Sequence, residues 1–240
     1  GRYGTSRSAA AEFLNAHFRA GLDQLFSSAD HLFFKVIGVV PALIENRIGE
    51  NPLVPAFFFG SFSVGVIYFV WRLVRSQKGS PIEGLFAAFL TAACNSFFYY
   101  SRHVFPYDLA LCFFMVAALC GFSPGRANSF WAGILAGVGF ITYNGYWWFG
   151  GVMLCLALCA HRESFADRIS RATLILLGLA VPILAVLGIG ATLGHNLVVF
   201  YVGFSKTVTG DMGIAWRFIP EFFWMSERYL SRFLALAPFV

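Results

Sequence analysis

Charge is what this sequence has least of. Only 12% of its 240 residues are Asp, Glu, Lys or Arg, about half the share of an ordinary soluble domain. Those 29 residues are unevenly spread: ten fall in the first 51 positions, and Ser129–Ala160 contains none. Against 58% hydrophobic and 18% aromatic residues, this scarcity excludes a soluble globular enzyme and a disordered tail. Cysteine is sparse too. Cys94, Cys112, Cys120, Cys155 and Cys159 all lie inside apolar runs, which excludes a disulfide-stapled secreted module. Cys155 and Cys159 stand one helical turn apart without a His or further Cys at metal-ligand spacing, and read as small buried hydrophobes. A Gly-rich phosphate loop, a nucleophile elbow, a zinc motif and a fixed-period repeat are all missing.

What is present is a series of long apolar runs. About 20 such residues cross the hydrocarbon core. Pro52–Trp71 is an uncharged run of 20, closed by Arg72, Arg75 and Lys78. Gly84–Ser101 is uncharged up to Arg102, and Tyr107–Phe122 carries only Asp108 before the turn Ser123-Pro124-Gly125-Arg126. Ser129–Ala160 has 32 residues, roughly 48 Å as one helix and too long for one crossing; Asn144-Gly145 is its natural break. Thr173–Leu193 follows with Pro182 as a tolerated kink, and Tyr229 begins another run. The fold class expected is all-α. It is a polytopic transmembrane bundle of about six complete spans, near 52–71, 84–101, 107–122, 129–143, 147–160 and 173–193, plus a truncated span at 229–240.

Basic residues orient this bundle. With a break at Asn144-Gly145, Arg72, Arg75, Lys78, Arg126, Arg162, Arg168 and Arg171 share one side in short loops, which marks that side as cytoplasmic. Arg102, Tyr143–Trp148 and the loop Gly194–Arg228 then face outward. Aromatics gather at those outer ends, from Phe97 to Tyr100 and from Tyr143 to Trp148, as an interfacial belt. The net charge of +5 therefore reflects membrane topology; no basic groove points to nucleic acid.

The first 51 residues read as a separate outer region, with 52–240 as the membrane domain. Ala9–Phe26 places Ala11, Leu14, Phe18, Leu22 and Leu25 at helical spacing. His31–Ile44 is apolar for 14 residues but holds Lys35 and Pro41, and is short for a span. Both suit amphipathic helices lying in the outer interface, with a short re-entrant helix as the alternative for His31–Ile44. The chain opens at Gly1 without Met and closes inside an apolar run, so an internal segment of a larger protein is expected.

Polar groups at membrane depth are costly and default to a functional reading. The candidates cluster at outer ends of spans. Ser101-Arg102-His103 ends one span, and Pro106-Tyr107-Asp108 opens the next. A guanidinium there suits phosphate, because its planar donors match two phosphate oxygens. Helix-end electrostatics explain the same residues: Arg102 at a helix C-terminus and Asp108 in a first turn both complement the macrodipole.

The stretch Asn95-Ser96-Phe97-Phe98-Tyr99-Tyr100-Ser101-Arg102-His103-Val104-Phe105-Pro106-Tyr107-Asp108-Leu109-Ala110 resembles the third-to-fourth span junction of the glycosyltransferase-C superfamily, in the branch of protein O-mannosyltransferases and aminoarabinose transferases. Asn51-Pro52-Leu53-Val54-Pro55 and its following span resemble that family's second span. Gly133–Tyr143, ending in Thr142-Tyr143, resembles its fifth. The resemblance covers about residues 30–160 in order. It implies sugar transfer from a polyprenyl-phosphate carrier to an acceptor lipid, glycan or protein at the non-cytoplasmic face, with bacterial inner-membrane localisation. Arg102 and His103 would bind the donor phosphate, and Asp108, Tyr143 and His31 would shape the site. Asp30-His31 stands where the family has His-Pro or Lys-Pro, and the missing Pro is a departure. The family's catalytic acid, a general base or the ligand of a divalent cation such as Mg or Mn, lies in the first outer loop. Here it is expected upstream of residue 1, with Glu12, Asp23 and Asp30 as fallbacks. A transporter or flippase with broken spans and a non-catalytic membrane subunit are the rival readings. Against the transporter, no acidic residue lies mid-span.

Overall fold

The structure is a computed structural model that describes residues 2–94, 104–146, 151, 155 and 164–206. Its amino-terminal region forms three helices: α1 (Arg2–Leu14), α2 (Phe18–Phe26) and α3 (Leu32–Ile48). Here the single helix expected over Ala9–Phe26 is corrected to two. The chain breaks at Asn15–His17, where Ala16 takes a positive φ of 61°, so the residues on either side no longer share one helical stripe. Leu14, Phe18 and Leu22 stay exposed, and only Leu25 of the expected face is buried together with the small pair Ala9 and Ala10. The contact with α3 is instead made by small groups. The Ser6 hydroxyl donates to the Lys35 carbonyl at 2.9 Å, and a side chain at Gly38 would collide with that hydroxyl. α3 runs from His31 past Pro41 to Gly49, whose φ of 94° ends it.

Six further helices follow among the described residues: α4 (Leu53–Ser76), α5 (Pro81–Ala93), α6 (Tyr107–Phe122), α7 (Arg126–Thr142), α8 (Phe165–Thr192) and α9 (Val198–Lys206). No strand occurs among the described residues. α4 and α8, with 24 and 28 residues, are long and apolar enough to cross a membrane. α4 extends one turn beyond the apolar run because Arg72 and Arg75 are good helix formers, and Arg75 complements the C-terminal end. α5 begins earlier than the run at Gly84. Ser80 and Glu83 form a capping box, the Ser80 N–H donating to Glu83 Oε2 at 2.6 Å and the Glu83 N–H to Ser80 Oγ at 3.2 Å, with Pro81 at the first helical position. The rest of that expected span, 95–101, lies outside the described residues, as do 229–240 and nearly all of 147–160.

α6 coincides with the apolar run at 107–122. α7 stops where Asn144-Gly145 was expected to break the chain: Tyr143 is extended and Asn144–Tyr146 form a short 3₁₀ turn. Two loop expectations are corrected. Ser164 accepts the Asp167 N–H at 3.2 Å and starts α8 at Phe165, so Arg168 and Arg171 belong to the helix. Within Gly194–Arg228, Val198–Lys206 is helical. α7 packs against α8 and α6, and α6 against α4. Glycines set the closest approach: a methyl at Gly133 or Gly178 would strike the facing backbone, and one at Gly137 would strike the Pro182 ring. Backbone approach through small residues is how helices associate when lipid removes the hydrophobic drive between them.

Buried charges hold this frame at two places. Arg171, 4% exposed, donates from Nε to Ser129 Oγ at 3.1 Å and from Nη2 to the Gly121 carbonyl at 2.6 Å. It thereby joins α8 to α7 and to a C-terminal carbonyl of α6 that lacks an intrahelical partner. In the amino-terminal region, Glu45, 3% exposed, accepts from Arg7 Nη2 at 2.7 Å, Arg7 Nε at 3.0 Å and Tyr3 Oη at 2.7 Å. Burial acts to raise the Glu45 pKa, but the hydrogen bonds from Arg7 and Tyr3 and the Arg7 charge outweigh it and hold the carboxyl below its ordinary value.

Candidate functional site

The site is assembled where three helix ends meet: the start of α3, the end of α7 and the start of α6. His31 sits just before α3 in the left-handed conformation, with φ 50° and ψ 40°. A side chain held there is strained, and such strain persists only where the surroundings over-determine it. Three contacts do so. Nδ1 lies 3.1 Å from the Thr142 carbonyl oxygen, the last carbonyl of α7, which has no partner within its own helix. Nε2 lies 3.2 Å from Asp30 Oδ1. The ring stacks on Tyr143, with centroids 5.4 Å apart and planes 17° apart. The imidazole is 3% exposed, while the Asp30 carboxylate is 38% exposed.

The carbonyl and the carboxylate are both acceptors, whereas a neutral imidazole carries one N–H. A neutral ring donates to one of these two oxygens at a time. The ring lies at the C-terminal, negative end of the α7 dipole and against the Tyr143 ring. Tyr143 extends the arrangement. Tyr107 meets it edge-on at 4.6 Å and Tyr146 at 4.8 Å, so one ring links His31 to the first residue of α6.

Asp108, next in sequence to Tyr107, is 7% exposed. Its Oδ2 accepts a short hydrogen bond from the Ser63 hydroxyl, which ties the α6 start to α4. Val104, two residues before Pro106, packs with Phe34, Phe59 and Leu109 between α3, α4 and α6. Arg102 and His103 lie outside the described residues.

Of the carboxylates named as fallback acids, only Asp30 joins this group. Glu12 is paired with His17 at 3.1 Å on the surface of α1, and Asp23 with His195 at 2.8 Å. Both have the solvated helix face of an ordinary surface acid. Among the described residues no three His, Cys, Asp or Glu side chains come together to hold a metal ion. The donor set at His31 supplies one carboxylate and a histidine already engaged on both nitrogens, a poor cradle for a hard divalent cation.

One buried cation was not singled out from sequence. Lys35, one turn after His31 and 4% exposed, donates from Nζ to the Ser28 carbonyl at 2.6 Å. In sequence it only interrupts an apolar run; its i, i+4 spacing from His31 is the one signal that places both on the same face of α3.

No known protein family, curated protein or solved structure matches the chain.

Proposed function

We propose that the protein is an integral membrane glycosyltransferase, with α4 to α8 as membrane-crossing elements, that moves a sugar from a polyprenyl-phosphate carrier to an acceptor at the outer face. The observation that supports this most is the convergence at one end of the bundle of His31, Thr142-Tyr143 and Tyr107-Asp108. These come from sequence stretches 111 residues apart, and they are stretches whose likeness to lipid-linked-sugar transferases first marked them out. In the proposed reaction the acceptor hydroxyl oxygen bonds to the anomeric carbon as the bond from that carbon to the phosphate oxygen breaks. The hydroxyl proton passes to a carboxylate base, and the polyprenyl phosphate leaves with the bonding electron pair. Arg102 takes the carrier phosphate, as a guanidinium favours the charge that develops there. His103 assists it. His31 joins Asp30 to Thr142 and Tyr143, and Asp108 fixes the α6 start against α4.

Thermal unfolding of the detergent-solubilised protein with added polyprenyl phosphate tests this reading. At about 100 times the Kd, binding stabilises by about 2.7 kcal/mol, a Tm rise of roughly 5–10 °C at this chain length. Wild type should show that rise and Arg102→Ala should not, with equal helix content in both. No rise in wild type refutes the lipid-phosphate site and turns the assignment toward a transporter or membrane subunit.

A further inference from the structure

At the far end of α6 from His31, the last turns of α4 and α6 and the first turn of α5 enclose a cavity of about 480 Å³. That is within the size range of small-ligand sites, roughly 300–1,000 Å³. Its walls have two characters. Arg72 and Arg75 supply guanidinium groups, while Trp71, Pro81 and Leu119 supply apolar surface. No acidic side chain among the described residues lines it. The nearest acid in sequence, Glu83, is committed to the α5 cap through the Ser80 N–H. Arg75 gives Nη1 to the Gly79 carbonyl at 2.7 Å, and its other N–H groups have no side-chain partner among the described residues. Arg72 has no hydrogen-bond or ion-pair partner among the described residues.

Two uncompensated guanidinium groups beside an indole make a site for a phosphate ester, because the planar donors pair with phosphate oxygens. Pro81 of α5 lines the cavity, and the same helix exposes Ile82, Leu85, Phe86 and Phe89 at 77, 63, 61 and 66%. A ligand with its phosphate between the arginines therefore finds a path for an acyl chain along α5. Basic pockets between helices at the cytoplasmic side hold anionic lipid headgroups in this way.

We propose that this cavity binds the phosphate headgroup of an anionic membrane lipid at the cytoplasmic interface, separate from the His31 site. The proposal rests on the membrane placement of α4 to α6 and not on sugar transfer. That placement is checked on its own by thiol labelling of Lys78→Cys and Gly145→Cys, which should react from opposite sides of the membrane. Labelling from one side would refute the placement, whatever the binding result.

Binding is read by native mass spectrometry of the protein in an uncharged detergent, titrated with phosphatidylglycerol, phosphatidylcholine or glycerol 3-phosphate. Phosphatidylglycerol should bind saturably. Arg72→Gln, which removes no contact within the described fold, should weaken it at least tenfold, about 1.4 kcal/mol. Arg72→Lys should retain part of the affinity, and Arg126→Gln, a charge on the same side outside the cavity, should retain all of it. Equal affinity in Arg72→Gln and wild type overturns the site. Equal loss in Arg126→Gln overturns it in favour of diffuse charge attraction, and equal binding of phosphatidylcholine in favour of acyl-chain adsorption. Glycerol 3-phosphate binding as tightly as the lipid overturns the lipid source and leaves a soluble phosphate ester.

Discussion

Replacing Gly178 by alanine asks a methyl group to occupy space already filled by the backbone of a neighbouring helix. A Cβ at Gly178 meets the Phe130 carbonyl oxygen and lies 3.0 Å from the Ile134 nitrogen and 3.1 Å from the Gly133 Cα, where ordinary contact begins at 3.4 Å. None of these atoms can rotate away, so α7 and α8 must move apart by on the order of 1 Å or the helices must bend; such overpacking costs about 1–3 kcal/mol. The same separation strains the Arg171 hydrogen bonds to Ser129 and Gly121 and shifts Thr142, whose carbonyl faces His31. Alanine also favours a helix over glycine by about 1 kcal/mol, which must be separated from the clash. Gly188, exposed on the same helix with nothing within 4 Å of an added Cβ, isolates that term. Gly188→Ala should be neutral or stabilising by up to about 1 kcal/mol; the propensity gain is common to both variants, so they should differ by the clash alone, about 1–3 kcal/mol. At roughly 2–4 °C per kcal/mol for this length, Gly178→Ala should melt roughly 2–12 °C below Gly188→Ala by scanning fluorimetry in detergent. Equal melting temperatures would show that α7 and α8 are not in backbone contact there.

Glu45→Gln should destabilise by about 1–3 kcal/mol at pH 7, toward the lower end because Arg7 is 36% exposed and solvent screens it. Because the folded Glu45 pKa is depressed, its stabilisation is present above the ordinary carboxyl pKa near 4.3 and is lost as pH falls through the folded value. Wild type should therefore lose stability below about pH 4 more steeply than Glu45→Gln, and parallel pH curves would remove Glu45 from that role. His31→Asn, which tolerates the left-handed backbone but loses the ring stacked on Tyr143, should lower the sugar transfer proposed above by roughly 10-fold, the order of one hydrogen bond. Its melting temperature should change little, and unchanged turnover would exclude His31 from the site. Ser63→Ala should cost about 1–3 kcal/mol by leaving the buried Asp108 carboxyl without its donor. In an Asp108→Leu background the same change should cost much less; additive losses in the double-mutant cycle would show that the two side chains do not interact.

The helical elements were largely legible in the sequence, because a helix bounded by charge and turn residues is a local property. The runs at Pro52–Trp71, Tyr107–Phe122 and Thr173–Leu193 reappear within α4, α6 and α8, and Asn144-Gly145 breaks the long run after Ser129. Asp108 was a candidate because a polar group at the end of an apolar run stands out against so little charge, while His31 and Tyr143 were named only through the family resemblance. What needed the tertiary structure is which of these groups touch. His31 finds Thr142 and Tyr143 only because α3 crosses the end of α7. Glu12 resembled Asp30 in sequence yet is paired with His17 on a surface. Burial of charge was equally hidden. Arg171 reads as one more cytoplasmic arginine until Gly121, 50 residues away, supplies its carbonyl, and Glu45, not singled out from sequence, is buried where Arg7 closes on it from 38 residues away. Hydropathy reports the average cost of moving a side chain out of water, and composition alone determined the helical, apolar character of this chain. A buried charge depends on one specific partner, and only the packing of distant helices decides whether that partner is there.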